Sequence, residues 1–134
     1  MSDPVRKTIA RSAARCFAAF CDARRLPVWV PGLRRARVII SGEDGLPREV
    51  LFEFGDKLTY SLLYSYDEAR RRVEWRPGVG RLDAVAGFAE FSDREAGCEM
   101  SYTLAPTGDR PSERHNDAET IAGAFVRWMQ SEPV

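Results

Sequence analysis

One break in the chain limits its fold more than any other feature. It is the segment from Asp22 to Gly32, Asp-Ala-Arg-Arg-Leu-Pro-Val-Trp-Val-Pro-Gly. Pro27 and Pro31 each lack an N–H and restrict the residue before them, so a helix arriving at Asp22 cannot run on as a regular helix. At best a short helical turn survives around Arg24 to Leu26. Before the break, Val5 to Ala10 alternates as a first edge strand. Ser12 can cap a helix over Ala13 to Asp22 whose apolar face is Phe17, Phe20 and Cys21. After the break the hydrophobic period changes from helical to two, and it stays at two for most of the remaining length.

From Arg35, Ala36, Val38 and Ile40 alternate with Arg35, Arg37 and Ser41; Gly42 to Gly45 is a turn by composition, and Val50, Phe52 and Phe54 then alternate with Glu49, Leu51 and Glu53. The clearest alternation follows, with Leu58, Tyr60, Leu62, Tyr64 and Tyr66 on one face and Thr59, Ser61, Leu63 and Ser65 on the other. Asp67 to Arg70 is a charged turn, Val73 and Trp75 mark another strand, and Pro77 to Gly80 turns again. Leu82 to Phe91 reads as a strand whose interior Gly87 marks a bulge, a bend or the close approach of another group. The last strand carries Cys98, Met100, Tyr102 and Leu104. Past the loop from Ala105 to Arg110, Ser112 can cap a helix with the stripe Ala118, Ile121, Ala122, Phe125 and Met129. Run to Gln130, it spans roughly 28 Å, enough to lie across a seven-stranded sheet.

Short connections make neighbouring strands antiparallel, and a sheet with one apolar face needs a cover, for which only the C-terminal helix is long enough. The order β-α-α-β-β-β-β-β-β-α is carried here by Ile9, Phe17, Asp22, Leu26-Pro27-x-Trp29-x-Pro31, the Tyr60-to-Tyr66 strand, Val73-x-Trp75, Gly87-x-Ala89-x-Phe91 and Tyr102-x-Leu104. In that order and spacing the chain resembles the START-related SRPBCC superfamily, whose branches include polyketide cyclase/dehydrase-like and coenzyme Q-binding proteins. The resemblance implies an α+β helix-grip fold over residues 1–134 as a single ligand-binding domain. In it a curved antiparallel sheet of about seven strands wraps a long C-terminal helix, two short helices follow strand 1, and a cavity lies between sheet and last helix.

Length and composition agree with one domain: 134 residues and 15.1 kDa, 44% hydrophobic and 30% charged. No apolar run reaches the roughly 20 residues of a membrane helix, and the N-terminal residues lack a secretory pattern, so a cytoplasmic location is the expectation. Three cysteines without paired spacing read as free buried thiols, and a single histidine, His115, leaves a zinc or iron site almost without ligands. No metal and no cofactor are expected. A net charge of zero argues against a nucleic-acid binder. The charge is uneven, with ten Lys or Arg against four acids in residues 1–48 and ten against sixteen beyond. That asymmetry reads either as a solvated surface or as a basic face for an anionic headgroup.

The faces assigned inward carry Val50, Phe52, Phe54, Leu58, Tyr60, Leu62, Tyr64, Val73, Trp75, Met100 and Tyr102, with no carboxylate, lysine, arginine or histidine. Such a lining either fills a closed core or surrounds an apolar or aromatic ligand oriented by tyrosine hydroxyls and the Trp29 or Trp75 N–H. The candidate lining residues are Trp29, Phe52, Phe54, Tyr60, Leu62 and Tyr64, with Trp75, Met100, Tyr102, Ile121, Phe125 and Met129. No catalytic residue is assigned. Arg81, Asp83 and Glu90 would reach the cavity only if a bulge at Gly87 changed the register, His115 reads as a surface residue, and Gly78-x-Gly80 is a turn. Asp22 is expected to hydrogen-bond the Leu26–Gly32 loop, with Trp29 and Val30 at the lip of the cavity. Three functions fit these residues. The first is binding or transport of a lipid, quinone or polyketide-like aromatic by a monomer or weak dimer. The others are a polyketide cyclase, aromatase or dehydratase, and a module making transient contact with a protein or membrane.

Overall fold

A computed structural model describes residues 4–54, 59–78, 85–106 and 118–131. Strand β1 (Val5–Ile9) leads into helix α1 (Ala13–Phe20), a 3₁₀ turn (Ala23–Arg25) and helix α2 (Leu26–Trp29). Six strands follow: β2 (Arg35–Ser41), β3 (Pro47–Glu53), β4 (Thr59–Asp67), β5 (Arg72–Pro77), β6 (Val85–Arg94) and β7 (Gly97–Pro106). Helix α3 (Ala118–Ser131) comes last. The seven strands form one antiparallel sheet in the order β1-β7-β6-β5-β4-β3-β2, so all neighbours but β1 and β7 are consecutive in the chain. This is the helix-grip α+β architecture.

The break after α1 is built differently from the sequence expectation. The Ser12 side chain accepts from Arg15 N at 3.2 Å and starts α1. Asp22 caps the 3₁₀ turn, accepting from Arg24 N at 3.1 Å and pairing with Arg24 and Arg25, rather than bonding into the loop beyond. Pro27 does not prevent helix formation. It sits in the first turn of α2, where a missing N–H costs nothing.

Two register expectations also change. Ala36, Val38 and Ile40 do not share one face, because Val38 lies opposite Val50 while Ile40 lies opposite Glu49, which leaves Ile39 as an extra residue in a β-bulge. Val38, Ile39 and Ile40 are all exposed. At Gly87, by contrast, the pairing runs uninterrupted from Trp75 through Gly87 to Leu104. The glycine is required by close approach, since a Cβ there would lie 2.2 Å from Thr103 O and 2.9 Å from the Trp75 indole. Glu90 therefore stays on the outer face, bonded to Arg70 and Arg72. Leu58, Arg81, Leu82, Asp83, Ser112 and His115 lie outside the described residues.

Helix α3 lies over the β1–β7 end of the sheet. Lys7 of β1 pairs with Glu119, and Ala10 N donates to Gln130 Oε1 at 3.1 Å. Its own Phe125 and Met129, with Ile9 and Met100 of the sheet, are all at 1% exposure or less.

Candidate ligand-binding interior

Alternation along the strands sends Val50, Phe52, Tyr60, Leu62, Val73, Trp75, Met100 and Tyr102 to the concave face, where all are buried. Phe20, at the C-terminal end of α1, is the hub. Its ring centroid lies 5.4 Å from Trp29, 5.9 Å from Trp75, 5.8 Å from Phe91, 6.2 Å from Tyr102 and 5.3 Å from Phe125. These are the offset and edge-on spacings that favour aromatic packing. A second group stands apart at the β3–β4 side, where Phe52, Phe54 and Tyr60 stack nearly parallel with centroids 5.7 to 6.3 Å apart.

Between these groups Phe20, Cys21, Leu26, Tyr64, Tyr66 and Val73 leave a cleft with about 10 Å³ of room for a water-sized solute, enough for one water molecule. A groove of about 310 Å³ is lined by α1, the turn after it and Met129 of α3, but Arg15, Asp22 and Arg25 on its walls suit it poorly to an apolar guest. Trp29 carries the one anomaly inside the aromatic cluster. Its indole is buried to 6% exposure against Phe20, Phe125 and Trp128, and its Nε1–H has no acceptor among the described residues. A buried donor without a partner carries a cost of roughly 1 to 3 kcal/mol.

Electrostatically the interior is neutral. Among the described residues the buried side chains are apolar, aromatic or thiol except Ser61, which lies on the convex face, where its hydroxyl donates to Glu49 Oε2 at 2.7 Å. Burial, reinforced by neighbouring tyrosines, holds the Tyr64 and Tyr102 phenols well above their ordinary range. Burial also raises Tyr66, whose hydroxyl donates to Pro47 O at 2.6 Å. The Cys21 thiol is pushed up to about 12, first by burial and then by Glu68. Cys16 and Cys98 bring their sulfurs to 3.7 Å with both side chains fully buried, and the hydrogen bond between them, together with burial, raises Cys16. Tyr64, Tyr66, Tyr102 and Cys21 can donate hydrogen bonds at neutral pH, and none of these four is poised as a base there. No cluster of metal-ligating side chains occurs among the described residues.

No family model matches the sequence, and no curated protein matches it either. Solved structures do. A START superfamily protein from Mycobacterium smegmatis superposes with a TM-score of 0.71 over 96% of this chain and 97% of its own, at 14% identity. The fold is SRPBCC/START-like. The di-domain ARO/CYC StfQ of the steffimycin biosynthetic pathway gives 0.72 at 15% identity, over 96% of this chain and 44% of its own. The ZhuI aromatase/cyclase from Streptomyces sp. R1128 gives 0.59 at 14% identity, over 79% of this chain and 69% of its own.

Within this START-like interior the expected lining residues fall into groups. Trp29, Trp75, Tyr102 and Phe125 meet around Phe20; Phe52, Phe54 and Tyr60 form the separate stack; Tyr64 packs edge-on to Trp75 at 6.3 Å. Leu62, Met100 and Met129 are buried, while Phe54, Tyr64 and Ile121 are partly buried. Trp29 and Val30, at 6% and 9% exposure, are not the exposed lip expected of them; the exposed residue of α2 is Val28, at 67%. The hub itself was missing from the candidate list. Phe20 was legible as an apolar helix position, but nothing in a one-dimensional pattern says that the last residue of α1 reaches the middle of the sheet.

Proposed function

We propose that this protein binds a hydrophobic small molecule, a lipid, quinone or polyketide-like aromatic bearing at least one acceptor oxygen, between the concave sheet and α3. Binding or carriage, rather than turnover, is its task. The observation that supports this best is the buried Trp29 Nε1–H, which has no acceptor among the described residues and is set in an aromatic interior. A carbonyl, hydroxyl or ether oxygen of a guest would satisfy that donor, and its apolar body would displace or slide between the Phe52–Phe54–Tyr60 rings. Covering ~300 Å² of apolar ligand surface at ~25 cal/mol/Å² offers ~7 kcal/mol before the losses of association, which fits modest affinity and tolerance of shape.

The lining residues proposed are Trp29, Phe52, Phe54, Tyr60, Leu62 and Tyr64, joined by Trp75, Tyr102 and Phe125, with Met100, Ile121 and Met129 behind them. A cyclase-like enzyme is the second reading, favoured by the fold shared with StfQ and ZhuI. It requires an acid or base in the interior, where the titratable groups among the buried described residues are tyrosines and thiols, and burial holds Tyr64, Tyr102 and Cys21 in their neutral forms.

Native mass spectrometry of gently purified protein separates the outcomes. A co-purifying mass that leaves on denaturation, or uptake of a ubiquinone analogue, a fatty acid or an aromatic polyketide mimic, is expected. A bare chain that takes up none of the three overturns the reading. Conversion of the mimic to a cyclised product would replace it with the enzyme.

A further inference from the structure

The large hydrophobic side chains exposed among the described residues are Val28, Val38, Ile39 and Ile40, at 67%, 43%, 52% and 51%. They do not scatter over the surface. They sit on two elements, α2 and the terminal strand β2, which are in contact with each other at that end of the sheet. Five arginines stand on or beside them: Arg24 and Arg25 in the turn before α2, Arg34 just before β2, and Arg35 and Arg37 in β2. Asp22 and Glu53 offset part of that charge, Asp22 shared between Arg24 and Arg25 and Glu53 lying 3.8 Å from Arg35. Arg37 is exposed and has no acid within 4 Å among the described residues. The Arg24 side chain is 89% exposed despite its pairing.

A second copy of the chain is a poor occupant for this edge. β2 is a terminal strand, but the bulge at Ile39 interrupts the even spacing of its backbone donors and acceptors, and arginines alternate along it. Both devices guard an edge against strand pairing. They do not guard it against a lipid surface, where aliphatic tips at the acyl boundary and guanidinium groups at headgroup phosphates are each favourable.

We propose that the α2–β2 edge docks on an anionic phospholipid surface, with Ile39 and Ile40 at the acyl boundary and Arg24, Arg35 and Arg37 on the headgroup phosphates. The inference stands apart from the interior-ligand reading, because vesicle binding is scored whether or not a ligand is present. Trp29 lies on α2 one residue from Val28, so docking here would turn that side of the aromatic interior toward the bilayer.

The test is sedimentation of the full chain with phosphatidylserine–phosphatidylcholine vesicles and with pure phosphatidylcholine vesicles at low and high salt. Binding to the anionic vesicles, weakened by salt, is expected. The double variant Arg35→Ala/Arg37→Ala should lower the partition coefficient roughly tenfold or more. Ile39→Ser/Ile40→Ser should lower it at every salt concentration. Unchanged circular dichroism and Tm in both variants ensure that docking rather than folding is read. Equal partition onto both vesicle types, or no sedimentation, overturns the proposal. So does a dimer in light scattering that Ile39→Ser/Ile40→Ser dissolves, since the edge would then belong to a second copy.

Discussion

The two ends of the sheet are built from the same residue types and reach opposite results. At the β1–β7 end α3 closes over Ile9, Met100, Phe91, Phe125 and Met129, and each is exposed by 1% or less. At the β2–β4 end α3 is absent. Among the described residues a 3₁₀ turn and a four-residue helix are the cover, Phe54 and Tyr64 remain partly exposed, and β2 presents three aliphatic side chains to solvent. The first end is a closed core that holds the fold. The second, among the described residues, leaves Phe54, Tyr64 and the β2 aliphatics only part-covered over a buried layer of Val50, Phe52, Tyr60 and Leu62, and such partial cover would suit the binding role proposed above. On that proposal stability and binding are divided along the sheet, and substitutions at each end should separate them.

The largest effect is expected from Phe125→Ala. It removes a fully buried ring that contacts Phe20, Trp29, Phe91 and Trp128, and should cost about 3 to 5 kcal/mol in urea unfolding. The matching deletion at the other end, Phe54→Ala, should cost about 1 to 2 kcal/mol, since its ring is only partly buried. Equal losses would mean that the β3–β4 end is as closely packed as the α3 end, and the division would fail.

Between these lies Gly87→Ala. The added methyl must push against Thr103 O and the Trp75 indole, one being backbone and the other a ring already held by Phe20, so a loss of about 1 to 3 kcal/mol is expected. Alkaline titration probes the cleft between the two ends. Tyr64, Tyr66, Tyr102 and Cys21 all have folded-state pKa values raised above their ordinary values of 10.0 for tyrosine and 9.0 for cysteine. The folded chain therefore holds these protons more tightly than the unfolded chain. Their contribution is fully present below pH 9 and is lost as pH climbs, through about 12 for Cys21, with the raised tyrosines acting in the same direction. A Tm that stays level from pH 9 to 11 would show that these groups are not desolvated in solution.

Much of this was legible in the residues alone. Strand alternation such as Leu62, Tyr64 and Tyr66 against Leu63 and Ser65 specifies a face directly, because the side-chain period in a strand is two. The break at Asp22 to Gly32 and the stripe through Phe125 placed the helices for the same reason. What alternation cannot express is register between strands. The bulge at Ile39 arises from how β2 meets β3, and it reversed the expected placement of Ile40. Gly87 read as a bulge, a bend or a close approach, and only the third occurs, since the neighbour is the indole of Trp75 one strand away. The site was legible as a set of inward residues but not as two separate aromatic groups. That split depends on where α3 ends its cover and on Phe20 reaching the centre, both of which are properties of the assembled sheet.

The smallest expected change in stability belongs to Trp29→Phe, and it is the one that bears most on function. The substitution keeps an aromatic ring against Phe20 and Phe125 but removes the Nε1–H. The smaller ring leaves a void that destabilises, while loss of a buried donor without an acceptor stabilises, and each is worth about 1 to 2 kcal/mol. The two oppose, so the net shift in unfolding free energy should stay within about 1 kcal/mol. Affinity for a guest bearing a carbonyl oxygen should nevertheless fall roughly tenfold, the worth of one hydrogen bond near 1.4 kcal/mol, while a pure hydrocarbon guest of the same size should bind no worse. Equal losses for both guests would mean that the indole acts only by its bulk. In that case the donor left without an acceptor at Trp29 would be a cost of folding, and the case for an oxygen-bearing ligand would go with it.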